Sequence, residues 1–249
     1  MLILALDTAD ARGSVAVLRD DAVVATLRHD GGEDYSSWLL PAVNKLAAVA
    51  GIGMADVDLY AVSAGPGSFT GLRVGLTAVK AWCEIHQRPI AAVSRLEAIA
   101  THVAEPKAWV AAFFDAHRNQ IFGGLYRHER EGGGLELAGE EMVIRPEGFL
   151  AWVGERTQGA EVSWASLDPH LVRGNAAWSE FAAKGGAIAE VTPELAPSIG
   201  RVGLRMAQEN RLTDALRLDA NYVRRSDAEL LWKGPAAPKP EPAHGTHGK

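Results

Sequence analysis

The sequence predicts an α/β fold built from two βββαβα units, the second one trimmed. Three observations carry this. A meander of three β-rich runs opens the chain and gives way to alternating helical and strand-length segments. The same order begins again after Pro106. Between them, a glycine-rich turn at 64–75 joins a buried strand to a long helix.

Residues 2–6, 14–18 and 23–27 are rich in β-formers and are separated by turns at 10–13 and at Asp20-Asp21. From Ser36-Ser37 onward, Leu39, Val43, Leu46 and Ala50 keep one apolar stripe at helical spacing, with Pro41 expected in or near the first turn, where its missing N–H costs nothing. A short apolar strand at 59–62 leads into the turn, read Ala-Gly-Pro-Gly-Ser-Phe-Thr-Gly-Leu-Arg-Val-Gly. Gly65 and Gly67 supply backbone freedom there, Pro66 fixes φ between them, and Ser68 or Thr70 caps a helix over 70–87. A strand at 89–93 and a helix at 96–104 complete the first unit.

The second unit starts with an apolar strand at 109–114 and a second strand at 120–127. A third strand is expected near 140–144, a short helix at 146–153, a turn at Gly174-Asn175 leading into 178–183, and a helix at 199–210. Asp7 and Asp115 are both strand-end aspartates entering a turn with an arginine nearby, which points to an internal duplication. The last ordered piece is expected at 220–232. From Lys233 the chain is Pro, Ala, Gly, Lys and His without periodicity, which predicts a disordered tail over 233–249. The units are accordingly bounded at 1–105 and 106–232.

With 249 residues, 47% of them hydrophobic, the chain can bury one large or two modest cores. A net charge of −6 offers no global basic field to draw nucleic acid. Arg201, Arg205, Arg224 and Arg225 form the notable basic grouping, and surface pairing with Glu209 and Glu229 explains them at least as well as contact with RNA. One cysteine, Cys83, excludes an intramolecular disulfide, and its place mid-helix beside Trp82 reads as a buried, inert thiol. The N-terminal apolar run lacks a basic region before it and no stretch reaches the ~18 apolar residues of a membrane span, so a cytoplasmic protein is expected.

A glycine-rich strand-to-helix turn first suggests phosphate binding. The spacing argues otherwise: no lysine follows in the Walker position, and the third glycine of a dinucleotide fingerprint falls one place late, at Gly71. Gly71 and Gly75 sit inside the helix, where each costs about 1 kcal/mol relative to alanine, so a neighbouring backbone must come close to that face. That neighbour is either the chain's own sheet or another subunit.

Residues 65–75 resemble the signature of the bacterial TsaB (YeaZ) proteins, and residues 1–9, 39–46, 115–118 and 221–229 are similar to that family as well. The resemblance implies an actin-like fold of the sugar-kinase and Hsp70 type. It also implies a non-catalytic subunit of the machinery that places threonylcarbamoyl on N6 of adenosine 37 in tRNAs reading codons that begin with A. The partner implied is the catalytic subunit TsaD, with TsaE in a larger complex, tRNA contacted indirectly, and a homodimer through the same helices. The helices at 37–50 and 70–87 would form the partner surface, through Leu39, Leu40, Val43, Leu46, Gly71, Leu72, Val74, Gly75, Ala78 and Trp82. ATP and a metal ion are then expected in the partner or at the interface and not in the isolated chain.

The chemistry-bearing residues fit that implication. No two histidines are four apart, so the His-x-x-x-His metal pair of the TsaD proteins is missing; where TsaB relatives often carry His-Ser, this chain reads Tyr35-Ser36. Neither Asp7-Thr8-Ala9 nor Asp115-Ala116-His117-Arg118 holds the glycine with which actin-like kinases cradle phosphates. Asp7 and Asp115 could still hold a cation or orient the turns, but the reading favoured is that of turn-capping residues, and Ser68, outside any Gly-x-Ser-x-Gly elbow, is read as a helix cap. The competing classes are an autonomous actin-like ATPase or kinase and a peptidase.

Overall fold

The structure is a computed structural model and describes residues 1–128 and 134–223. Two sheets carry the fold. The first holds β1 (Leu2–Asp7), β2 (Ser14–Arg19), β3 (Ala22–Arg28), β4 (Leu59–Gly65) and β5 (Ile90–Ser94) in the order β3-β2-β1-β4-β5. β1, β2 and β3 run antiparallel, whereas β4 and β5 continue from β1 in parallel. The second sheet repeats the pattern with β6 (Trp109–Asp115), β7 (Ile121–His128), β8 (Leu135–Leu137), β10 (Val162–Ser166) and β11 (Ile188–Glu190), in the order β11-β10-β6-β7-β8, and β9 (Met142–Ile144) also pairs with β7. The duplicated βββαβα pattern of the actin-like class is therefore present in both halves.

Every residue of β1 is buried because both faces of its sheet are covered, which is why its sequence is a continuous apolar run rather than an alternation. Ile3 and Ala5 face a core shared with the second half, while Leu2, Leu4 and Leu6 face the outer helices. Those outer helices are α1 (Tyr35–Ala50) and α2 (Phe69–His86). The shared core is filled by α3 (Arg95–Ala100) and α7 (Ala196–Gln208), and the two are exchanged: α3 packs against β6, β7 and β10, and α7 against β1, β2, β4 and β5. Outside the second sheet lie α4 (Pro146–Thr157), α5 (His170–Arg173) and α6 (Ala176–Ala183).

Several elements differ from expectation. α1 begins at Tyr35, so Pro41 lies inside the helix, in its second turn; both it and Ser37, whose carbonyl loses its amide partner, are exposed, and water can take the bond. α3 ends at Ala100, four residues early, where Thr101 Oγ1 turns back to donate to the Ala98 carbonyl at 2.7 Å. The third strand of the second unit is split into β8 and β9 by residues 138–141. β10 and β11 have no counterpart in the sequence reading. The expected tail over 233–249, most of the piece expected at 220–232, and Arg224 and Arg225 lie outside the described residues.

Candidate functional site

β1 and β6 are the central strands of their sheets and end in Asp7 and Asp115, so both turns open onto one cleft of about 420 Å³. Asp7 is fully buried. Its Oδ1 accepts the Ala9 amide at 3.1 Å, closing the turn, and its Oδ2 accepts from Nε of Arg95 at 3.1 Å, also fully buried. The Arg95 guanidinium lies 4.6 Å from the Phe114 ring centroid and reaches Asp10 Oδ2 at 3.4 Å. Asp10 in turn accepts from Arg12 at 3.0 Å, and Arg12 reaches Asp168 of the second half, donating to both carboxylate oxygens at 3.1 and 3.3 Å. Asp168 Oδ2 also takes the Asp115 amide at 2.9 Å, and Asp115 Oδ1 takes the His117 amide at 2.7 Å.

The electrostatics follow from this chain of charges. Burial pushes the Asp10 carboxyl up, but the Arg95 and Arg12 guanidiniums outweigh it and hold the group below the usual aspartate value. Burial alone would lower Arg12, yet its bonds to Asp168 and Asp10 raise it. Tyr35 donates to the Asp10 carbonyl at 2.5 Å, and burial drives its phenol far above the ordinary range. Asp7, Asp10 and Asp168 face arginines, which does not suit a metal ion, and among the described residues no three His, Cys, Asp or Glu side chains gather into a cation site.

The glycine loop closes the third side of the cleft. Gly65 adopts φ +117°, and a Cβ on Gly67 would stand 2.3 Å from the Ala9 carbonyl oxygen. The Ser68 amide donates to that same oxygen at 2.7 Å, so the loop is stitched to the β1 turn. Ser68 is the N-cap of α2, its Oγ accepting the Gly71 amide at 3.3 Å, and Thr70 is exposed one residue into the helix. Asn221 completes the loop's surroundings by donating its amide to the Ala64 carbonyl at 2.7 Å.

The second candidate is a groove of about 670 Å³ between α1 and α2. Leu40 is 53% exposed and Ile85 72%, and they flank Val74, Ala78 and Trp82. At one end Phe69 carries the Arg73 guanidinium 3.7 Å from its ring centroid and meets the Tyr222 ring at 5.1 Å.

The structure divides the ten partner-surface residues expected from the sequence. Leu40, Val74, Ala78 and Trp82 border or neighbour the groove. Val43 and Leu46 are 2–3% exposed and face the chain's own sheet, as does Leu72 at 1%, whereas Leu39, at 2%, packs on that sheet and also lines the groove. A helix buries its apolar stripe on its own sheet first, so the stripe marks the core and the off-stripe positions face outward. Gly71 and Gly75 are corrected too: Cβ atoms there would lie 2.0 Å from the Thr8 carbonyl oxygen and 2.4 Å from Thr8 Oγ1. The neighbour that demands glycine is the β1 turn, and Thr8 Oγ1 donates to the Gly71 carbonyl at 2.8 Å.

Arg12, Arg95 and Asp168 were not singled out from the sequence. Arg95 follows a strand-end serine with no motif around it. Asp168 follows the end of β10 at Ser166, and its role stays invisible without that strand.

The family model described as "TsaD: tRNA N6-adenosine threonylcarbamoyltransferase" matches residues 29–208 of the chain. The Bacillus subtilis protein named tRNA threonylcarbamoyladenosine biosynthesis protein TsaB is 35% identical over 237 residues, covering 93% of this chain and 98% of the relative. The Escherichia coli protein of the same name is 27% identical over 245 residues, covering 94% and 97%. Among solved structures, YeaZ from Pseudomonas aeruginosa superposes with a TM-score of 0.70 at 26% identity, covering 89% of this chain and 99% of that one.

Proposed function

The chain belongs to the TsaB (YeaZ) family, and on that premise we propose that it serves threonylcarbamoyladenosine formation in tRNA as the non-catalytic partner of TsaD. The modification assigned is threonylcarbamoyl transfer to N6 of adenosine 37 in tRNAs reading codons that begin with A. The observation that carries the partner role is the α1–α2 groove, where Leu40 and Ile85 stand exposed beside Val74, Ala78 and Trp82. An apolar groove of this kind, rimmed by polar residues, is what a helical partner buries. The buried pairing of Asp7 with Arg95, and of the neighbouring Asp10 with Arg95 and Arg12, supports this reading over an autonomous kinase, because the strand-end carboxylate of β1 already has an internal counter-charge. In this reading ATP and metal chemistry belong to TsaD or to the interface.

Mixing the chain with TsaD of the same organism and measuring the mass of the complex tests the proposal. A heterodimer is expected, and Leu40→Asp should weaken it at least tenfold, about 1.4 kcal/mol, while leaving the exposed site's contribution to folding nearly unchanged. A homodimer through the same groove would show as a doubled mass without TsaD. Wild-type mass with TsaD present, at concentrations well above micromolar, overturns the proposal.

A further inference from the structure

Residues 220–223 cross the mouth of the cleft as a strap, and the strap is held from both halves of the molecule. Its backbone bonds to the glycine loop through the Asn221 amide and the Ala64 carbonyl. Its side-chain anchor is Glu141, which sits in the break between β8 and β9. Glu141 Oε2 accepts from Asn221 Nδ2 at 2.6 Å, and its Oε1 accepts from Tyr126 Oη at 2.7 Å and from Ser94 Oγ. One half-buried carboxylate therefore ties the end of β5, the middle of β7 and the strap together. Nothing in the partner reading or in the cleft's charge network uses it.

The next residue along the strap, Tyr222, is 40% exposed and packs on Phe69, which is 38% exposed. Arg73 donates from Nε to the Tyr222 hydroxyl at 3.4 Å while lying over the Phe69 ring. Phe69 and Arg73 both line the α1–α2 groove. The strap thus supplies an aromatic continuation of the groove's rim; Ala220 and Val223 pack on the two cores to either side, and the Ala64 carbonyl and the Glu141 carboxylate hold Asn221 between them.

We infer that Glu141 is a positioning residue for the docking surface: by anchoring Asn221 it sets Tyr222 against Phe69 and Arg73, so that the strap forms part of what the partner meets. The inference rests on the groove being the partner site. Its chemistry is that of a shared acceptor. Replacing Glu141 by alanine removes all three bonds at once and leaves the Asn221 side chain without its anchor. Glutamine keeps an acceptor oxygen for Ser94 and Tyr126 and can donate its amide to Asn221 once that side chain turns over.

The test uses the full chain. Hydrogen exchange at the amide of residue 221 reads the strap directly, because that amide bonds to Ala64. Glu141→Ala should speed this exchange at least tenfold, leave amides of β1 and β4 as in the wild type, and weaken TsaD binding at least fivefold. Glu141→Gln should restore both. If Glu141→Ala does not fold, Asn221→Ala cuts the same link from the exposed side and should behave alike. Unchanged exchange at residue 221 overturns the inference, as does faster exchange with TsaD affinity intact. Leu40→Asp run in parallel separates the levels: no effect of Leu40→Asp refutes the groove reading beneath, whereas its effect without one from Glu141→Ala refutes only the role of Glu141.

Discussion

Asp7 and Arg95 are both sealed from solvent, and each is the other's main charge partner at 3.1 Å. Two desolvated ions gain little net stability as a pair, but removing one leaves the other uncompensated in the interior. Asp7→Ala should therefore lower the unfolding free energy by about 3 kcal/mol, the low end of that range because Asp10 remains 3.4 Å from Arg95. Denaturant unfolding checks this, and a loss below about 1 kcal/mol would show that Asp10 or water takes over the charge. The aspartate was legible in the sequence as a strand-end turn residue, since Asp7 Oδ1 caps its own turn within two residues. Its arginine was not, because the two are 88 residues apart and meet only through the parallel pairing of β1, β4 and β5.

At the scale of the element, α2 does two jobs on two faces. The face with Gly71 and Gly75 touches the Thr8 turn, and the face with Val74, Ala78 and Trp82 borders the groove. Gly75→Leu gains about 1 kcal/mol of helix propensity. It must also displace Thr8, whose Oγ1 would lie 2.4 Å from the new Cβ. The net result should be a monomer destabilised by roughly 1–3 kcal/mol through overpacking, with partner binding reduced only as far as the turn or helix shifts. A variant that unfolds like the wild type would contradict the contact with Thr8. The helix itself was predictable from its period, whereas its two faces were not. Glycines spaced by four announce a close neighbour but carry no information on whose backbone it is.

Over the whole molecule, the two halves are joined by the exchanged helices α3 and α7 and by the Arg95–Asp10–Arg12–Asp168 chain of charges. Asp10 is the member with a resolved downward shift, so its contribution to stability has a definite sign. The folded state holds Asp10 ionised to lower pH than the unfolded chain does, whose value is near 3.8. The stability it supplies is thus fully present above that value and is lost as pH falls through the lower folded pKa. The difference in unfolding free energy between the wild type and Asp10→Asn should be level from pH 7 to about 5 and shrink below about 3.8. Urea titrations across that range measure it, and a difference that grows toward acid would reverse the sign argued here.

What the sequence determined by itself is local or periodic. It specified the opening meander, the helices α1 and α2, the recurring strand-end aspartates and the capped glycine turn, because strand alternation, helical spacing and turn chemistry act over a few residues. It did not reveal β10, whose Val-Ser-Trp-Ala-Ser run shows no clear period, or β11, three residues long. β10 exists because β6 offers it an edge to pair with, and β11 because β10 then offers the next one. Only the tertiary structure decided which apolar residues are core and which are surface: Leu39 and Leu40 are adjacent in the chain, yet one is 2% exposed and the other 53%. It alone brought Arg12 to Asp168 and Glu141 to Ser94 and Asn221, partners separated by 156, 47 and 80 residues. Such contacts arise from the stacking of two sheets about shared helices, and no short-range pattern in a chain can encode which distant side chains that stacking will face together.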